Sequence, residues 1–511
     1  MTSKEFIVDS QAEVGAFLQH LNVAYKCSEK PTRRANEFYY DTFDWRLFNK
    51  DLLLKRIGKY FYLISASGDV LLKEPGLADK HFFFSDVPES PLQKKIESVA
   101  GIRALSEILF LRKKSTQFNV LNKDRKTVIH LFHEQGQIGD NAEDKNISPL
   151  LRIVQVRGYE KPYARAIQIA RKTGLQERVD GQSFFEEALT VIGRKPGDYT
   201  SGFDVSLDQN STIEKAFNHI CLPLVETMEQ NYQGLLRDVD SEFLHDFRVA
   251  IRRTRSFISQ FKKSFQGTEM AFFQDEFKWL GVLTGPVRDL DVYLLMKEQY
   301  ASMLPVELHN GLEQFFVDLK KTRLRKFEEM QNSLRSERYL RLIAEWKSFL
   351  DQNGQVNKEP GRGTQLCRPL ALKKIRKCLK KILKKGGKLD QKSSDEDLHR
   401  LRIQGKKLRY LIEFFRSFFD AEEIEYFRKQ LKKLQDMLGD FNDISVQLEM
   451  LSYVQQKLTG RNKRSVAIAA AIGGLITCLN AEHETLRNKF TTVFADFGST
   501  KNIERFYRVL V

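Results

Sequence analysis

Hydrophobic and polar positions fall into two textures along the 511-residue chain. Up to about residue 200, apolar residues come in short β-like runs: "LLLKRIGKYFYLIS" (52–65), "KTVIHLFHE" (126–134) and "LLRIVQVRGYE" (150–160). Gly, Asp and Asn punctuate them, and helical periodicity intervenes in "QAEVGAFLQHL" (11–21) and "YARAIQIARKTGL" (163–175). That mixture predicts an α+β domain over 1–195. After "GRKPGDYTSG" (193–202), which reads as a linker, the strand signals stop. From Ser211 onward nearly everything follows helical periodicity in long amphipathic runs, predicting an all-α domain over 205–511.

A Gly/Pro/Lys-rich stretch, "DQNGQVNKEPGRG" (351–363), splits the helical part near its middle, and the split coincides with an internal repeat. "LHDFRVAIRRTRSFISQF" (244–261) aligns with "LHRLRIQGKKLRYLIEFF" (398–415) at an offset of 154 residues. The same offset pairs "LGVLTGPVRDLDV" (280–292) with "LQDMLGDFNDISV" (434–446), setting Gly285 beside Gly439 and Asp289 beside Asp443. The repeats run from about 211 to 350 and from about 365 to 511. Gly followed by Asp reads as one helix stopping and the next being capped, so each repeat is expected to be a bundle of about four helices.

Charge sharpens the picture. Lys+Arg number 83 against 67 Asp+Glu, a formal net charge of +16, which points to an anionic partner: nucleic acid, a membrane surface or a phosphate polymer. Five scattered cysteines (Cys27, Cys221, Cys367, Cys378, Cys478) suggest neither a disulfide framework nor a zinc site. The opening "MTSKEFIVDS" lacks the basic and apolar regions of a signal peptide. The most apolar window, "VAIAAAIGGLITCL" (466–479), is shorter than the roughly 18 residues of a membrane span and reads as a buried bundle helix. A cytoplasmic protein without a membrane span is the expectation.

At 100° per residue, Arg248, Arg252 and Arg255 fall with His245 inside an arc of about 80°. His399, Arg402, Lys406 and Arg409 repeat those offsets, and Arg253 and Lys407 widen each basic face. Each stripe runs roughly 15 Å along its helix. Solvated helix faces normally interleave Glu with Lys, because like charges at i,i+4 lose about 0.2–0.5 kcal/mol per pair. Here Asp246 is the only acid in the first stretch and Glu413 the only one in the second. The stripes also border the apolar seam of Leu244, Phe247, Ile251 and Ile258, where partly desolvated cations are costly without an anion. If the repeats pack about a pseudo-twofold, both stripes line one groove able to hold an extended polyanion. A further segment, "LALKKIRKCLKKILKKGGK" (370–388), carries nine Lys/Arg and no acid. Packed by its apolar face, it would extend the basic surface through Lys373, Lys377, Lys380 and Lys384.

These residues resemble a known family. The doubled H-x-x-R-x-x-x-[RK]-[RK]-x-R pattern and the paired Asp turns are similar to the CHAD domain, over roughly 211–511. The resemblance implies two pseudo-symmetric helical-bundle repeats that bind inorganic polyphosphate in a basic central groove. Its basic positions fall on His245, Arg248, Arg252, Arg253, Arg255, His399, Arg402, Lys406, Lys407 and Arg409. Asp289 and Asp443 match its acidic turn positions, with helix capping the expected role and fixing a stripe arginine the alternative.

CHAD domains often follow a CYTH domain, an antiparallel β-barrel-like tunnel that binds or hydrolyses triphosphates with a divalent metal. "FYYDTFDWRLFNKDLLLKRI" (38–57), "FLRKKSTQF" (110–118) and "KPYARAIQIARKTGL" (161–175) resemble its elements, over about 5–190. The family opens with an E-x-E-x-K strand whose glutamates ligate metal. Here "KEFIVDS" leaves Glu5 and Asp9 nearby, and the later strand reads "RIVQVRG", with Gln155 and Arg157. Basic residues such as Lys55, Arg56, Arg112 and Lys113 remain. A divalent ion activating water on a triphosphate needs several carboxylate oxygens, so the expected domain is a degenerate CYTH fold without metal or catalysis.

The function expected is therefore non-catalytic binding of inorganic polyphosphate, with no cofactor, in a cytoplasmic protein associated with polyphosphate granules. Arg would contact phosphates by forks and Lys as point charges, and imidazole would donate as a neutral tautomer or carry charge beside phosphate. One rival is a metal-dependent triphosphatase or polyphosphatase working through the N-terminal tunnel. Another is nucleic-acid binding, which the stripes favour less, because neither Asn/Gln beside Arg nor exposed stacking aromatics stand out along them. Binding nucleic acid non-specifically through charge alone stays compatible with the sequence.

Overall fold

The structure, a computed structural model, describes residues 2–65, 68–76, 78–139, 145–178, 184–265, 269–354, 365–458, 460 and 462–510. It divides into two compact units, Met1–Ser201 and Gly202–Val511.

The alternating runs of the first unit become an antiparallel sheet of eleven strands. These are β1 (Ser3–Ile7), β2 (Lys26–Glu29), β3 (Arg33–Thr42), β4 (Leu52–Ile57), β5 (Tyr60–Ser65) and β6 (Val70–Pro75). β7 (His81–Phe82), β8 (Leu105–Leu121), β9 (Thr127–Ile138), β10 (Lys145–Gln155) and β11 (Gln176–Glu177) complete it. The order is β11-β1-β10-β9-β8-β3-β4-β5-β6, with β2 and β7 also on β8. Among the described residues no pairing joins β6 to β11, so the sheet is an open path and not a closed barrel. Helices α1 (Gln11–Asn22) and α3 (Glu160–Lys172) cover one face, burying Val14, Phe17, Ala166 and Ile167 against Phe118, Leu131 and Ile153. α2 (Pro91–Ala100) buries Leu92 and Ile96 against Leu54, Phe61 and Phe82. α4 (Phe184–Val191) packs Phe185, Ala188 and Leu189 on Tyr39, Leu111 and Ile138, which alternation places on the face opposite α1 and α3.

The stretch read as a linker is partly built into this unit. Asp198 accepts a 2.7 Å bond from Trp45 Nε1 and pairs with Arg194 at 3.0 Å, while Tyr199 is buried beside Phe43.

The second unit is helical throughout. The first repeat comprises α5 (Ile213–Leu236), α6 (Ser241–Phe261), α7 (Glu269–Leu295), α8 (Lys297–Met303), α9 (His309–Leu334) and α10 (Glu337–Gly354). The second comprises α11 (Cys367–Gly386), α12 (Asp395–Phe414), α13 (Ala421–Lys457), α14 (Lys463–Phe497) and α15 (Thr500–Val509). Residues 213 and 367 open equivalent helices, as do 241 and 395, both at the 154-residue spacing. Capping accounts for these starts: Asp240 accepts from the N–H groups of Glu242 and Phe243, and Ser394 from that of Asp397.

The helices do not stop at the Gly–Asp segments. α7 runs unbroken through Gly285 and Pro286, and α13 through Gly439, so Asp289 and Asp443 lie inside helices and are not caps. Nor are the repeats two separate bundles. α7, α8 and α9 share one core with α13 and α14, built from Tyr300, Phe315, Phe316, Leu451, Ile472 and Leu475. The apolar window 466–479 belongs to the 35-residue α14, long and apolar enough by length and composition to cross a membrane. It is not a buried helix: Ile468, Ala471, Ile472, Leu475 and Leu479 face that core, yet only 28% of its most apolar window is buried.

Candidate functional site

The repeats meet through equivalent residues. Ile213 N donates to Gln365 O at 2.9 Å and Cys367 N to Ser211 O at 2.8 Å, two bonds that exchange under the repeat offset. Along α6 and α12, Phe261 and its equivalent Phe415 have ring centroids 5.5 Å apart, and Phe257 packs on Phe414 and Phe415. The stripe helices thus converge at their C-terminal ends about a pseudo-twofold. This contact and the shared α7–α9/α13–α14 core are two zones of contact between the repeats.

On these helices the stripes come together. Arg252 in α6 acts electrostatically on both Arg402 and Lys406 in α12, and Lys406 is its own repeat equivalent. His245, Arg248, Arg252, Arg253, Arg255, His399, Arg402, Lys406 and Arg409 are all partly buried, whereas Lys407 is exposed on the side where Cys378 of α11 packs. Burial, then repulsion from Arg402, Arg252 and Arg409, pushes the Lys406 ammonium down to about 8. Burial likewise pulls Arg248 down to about 10, against the counter-effect of Asp289, and lowers Arg255 and Arg402. Such shifts mark positive charge that lacks sufficient local compensation.

The acids beside the stripes hold arginines. Arg402 pairs with Asp443 at 3.2 Å, and at the equivalent place Asp289 stabilises the charge on Arg248. Asp443 thus takes the alternative role, pairing with a stripe arginine, while Asp289 acts on Arg248 through its charge. Arg248 is further fixed by donating to Gly281 O at 3.0 Å and Thr284 Oγ1 at 2.8 Å. Gly281 also lets the end of Arg255 lie close, since a Cβ there would stand 2.6 Å from its terminal nitrogen and push that side chain aside. His399 Nδ1 lies 2.6 Å from Asn442 Oδ1 and so is the donor. Its Nε2 is then an acceptor when the ring is neutral and donates to an anion only as imidazolium, a restriction the sequence did not reveal. At the converging end Glu413, whose repeat equivalent is Ser259, lies 3.4 Å from Nε of both Arg253 and Arg409.

A model of the CHAD domain family matches residues 220–452, from within α5 to the end region of α13, including both stripes. The helical unit carries a CHAD domain. An uncharacterized protein of Mycobacterium tuberculosis, from two strains, is 26% identical over 217 residues, covering 42% of this chain and 40% of each relative. The chain therefore matches less than half the length of these curated relatives. Among solved structures, the CHAD domain from the plant Ricinus communis aligns at 24% identity and TM-score 0.48, over 58% of this chain and 96% of that one. PptA from Streptomyces chartreusis aligns at 17% identity and TM-score 0.44, over 56% of this chain and 99% of that one.

Not every expected residue of the CHAD domain joins the stripes. Lys373, Lys377 and Lys380 are exposed on α11, and the groups acting on Arg402 and Lys406 come from α6, α12 and α13 instead. A cavity of about 780 Å³ between α5 and α10 is lined by Tyr232, Tyr339 and the Lys347–Glu229 pair; no stripe residue borders it.

The first unit holds charges of a different kind. Glu37 accepts from Tyr39 OH at 2.6 Å and Lys55 Nζ at 3.1 Å. Glu134 is held by Lys113 at 3.0 Å and Arg152 at 3.1 Å. Burial works to raise the Glu134 carboxyl, yet these two cations overcome it and hold the group below its ordinary value. Burial, with both glutamates nearby, raises the Tyr39 hydroxyl. The sequence reading looked for carboxylates at Glu5 and Asp9 and missed these two. Glu5 instead faces Arg178 at 3.8 Å. Among the described residues no three His, Cys, Asp or Glu side chains cluster as a metal site. Both oxygens of Glu134 and one of Glu37 are already taken by Lys113, Arg152 and Lys55, which suits these glutamates poorly to a divalent ion.

Proposed function

We propose that this chain binds inorganic polyphosphate, without turning it over, between the stripes of its CHAD domain. The observation that carries the reading is the approach of partly buried, under-compensated cations from both repeats: Arg252 beside Arg402 and Lys406. Cations held out of water with too few acids are costly, and a chain of phosphates supplies one negative charge after another along the roughly 15 Å of each stripe. Arg248 and Arg402, each fixed by its own partners, would present guanidinium forks to phosphate oxygens, and Lys406 a point charge. The ion pairs on Glu37 and Glu134 argue against a metal-dependent triphosphatase in the first unit. A titration with long-chain polyphosphate tests this, with tripolyphosphate and duplex DNA competing at equal phosphate concentration. Preference for the long chain is expected. Equal competition by DNA would make the protein a general polycation, and phosphate release stopped by chelator would make it an enzyme.

A further inference from the structure

Two helices at equivalent positions, α5 and α11, differ completely in charge. α5 carries three carboxylates (Glu214, Glu226, Glu229) and one lysine. α11 carries nine Lys and Arg and no acid. Where α11 has Lys373, Lys377, Lys380 and Lys384, the repeat offset places His219, Pro223, Glu226 and Gln230 on α5. The apolar residues of α11, including Leu372, Ile375, Leu379 and Ile382, are buried in the bundle, so the helix offers no apolar face for a bilayer. Its four lysines are exposed and form no ion pair with a carboxylate among the described residues. Like charges at i,i+4 destabilise a helix, and nothing in the packing of α11 requires them.

This lysine face runs to the end of the stripe helix. Lys374 donates to Gln260 O in the last turn of α6 and lies 4.8 Å from the Phe261 ring. Its neighbours include Lys377, Lys263 and Lys373, which lower its ammonium after burial does. Three lysines of α11 and Lys263, just past the end of α6, therefore form a patch where the stripe helices converge.

We infer that this patch and the outer face of α11 form a second, one-sided track for a long polyphosphate chain leaving the groove. The inference rests on the groove reading but concerns a different surface and a chain-length class. The groove suits a chain of about 15 Å, and the lysines from 373 to 384 add about 16 Å of helix. Only a chain longer than about 30 Å can fill both, and linking two contacts in one ligand raises overall affinity.

The test uses the full-length protein with Lys373, Lys377, Lys380 and Lys384 all replaced by Gln. Binding is titrated with a polyphosphate shorter than the groove, with one several times longer, and with duplex DNA. Short-chain affinity should stay within about twofold, while long-chain affinity falls about tenfold with a shallower salt dependence. Unchanged long-chain binding overturns the inference. Loss of DNA binding with long-chain binding intact overturns it too, and assigns α11 to nucleic acid. Lys406→Ala separates the two readings, since it should weaken both lengths. If Lys406→Ala alters neither while the four-lysine variant weakens long chains, the groove reading falls and the α11 track stands.

Discussion

Both units bury charge, but they complete it differently. In the first unit two inward glutamates have their cations, Lys55 on Glu37 and Lys113 with Arg152 on Glu134, and the buried Asp41 is held by the backbone N–H groups of Leu47 and Phe48. In the second unit cations crowd cations, and burial with mutual repulsion lowers Lys406, Arg248 and Arg402. A satisfied network holds a fold together and has little to offer a ligand. An unsatisfied one leaves an interaction for a ligand to complete. Burial alone does not distinguish them; the balance of partners does.

The comparison is sharpest where a charge is deleted. Glu134→Gln should destabilise the first unit by about 1.5–3 kcal/mol, the loss of hydrogen bonds to a charged group from the half-buried Lys113 and Arg152, and should leave polyphosphate binding unchanged. Calorimetric unfolding read beside a binding titration checks both halves. Because the folded Glu134 carboxyl sits below its ordinary 4.5, its stabilisation is complete above that value and is lost as pH falls through the lower folded one. A wild-type protein whose first unit keeps full stability through that fall would break the assignment.

Stripe deletions should behave oppositely. Arg252→Ala and Lys406→Ala should each weaken polyphosphate binding by about 1.5–3 kcal/mol, as for a hydrogen bond to a charged group. Melting temperature should hold or rise, because each removes a cation from a crowded face. A fall in melting temperature as large as that of Glu134→Gln would erase the distinction between the units.

Lys406 also gives a proton signal. Its folded pKa of about 8 lies under the ordinary 10.5, so between these values the unfolded chain holds the proton that the folded chain has released. Its contribution to stability therefore increases with pH across that window. A bound polyanion favours the ammonium, so binding near the middle of the window should take up about one proton. Calorimetry in buffers of different ionisation enthalpy measures that uptake, and none is expected in Lys406→Ala. The smallest effect belongs to Glu413→Gln. Releasing Arg253 and Arg409 should tighten binding by about 0–1 kcal/mol, in the range of partly screened ion pairs, and a titration at low salt would resolve it.

Much of the second unit was legible because helices write their contacts locally. The repeat at an offset of 154 residues and the spacing of His245, Arg248, Arg252 and Arg255 are written in the pattern along each helix. What failed depended on distant partners. Gly285 and Gly439 read as helix ends, yet packing carries both helices onward, and Asp443 meets an arginine 41 residues away. The α11 lysines have the right period and lie outside the groups that act on Arg402 and Lys406, on a face that reaches the end of α6. In the first unit, Glu37 immediately precedes the CYTH-like stretch 38–57 and Glu134 lies in "HEQGQ", neither in the strands where metal-ligating glutamates were expected. Alternation along β3 sets Glu37 on the side of Tyr39, but only the register of β3 with β4 and of β8 with β9 brings Glu37 to Lys55 and Glu134 to Lys113.

The reciprocal hydrogen bonds between Ser211–Ile213 and Gln365–Cys367 carry a lesson about ancestry. One repeat alone presents an N–H and a carbonyl that a second identical copy could satisfy in return, which is the self-complementary edge of a symmetric dimer. Such a dimer must carry every residue in duplicate. Fusing two copies into one polypeptide lifts that restriction while keeping the same join. Arg252 can then face a lysine, Ser259 can answer to Glu413, and an acidic first helix can have a wholly basic twin. A pseudo-twofold brings the two stripes together, and covalent linkage lets the two sides differ.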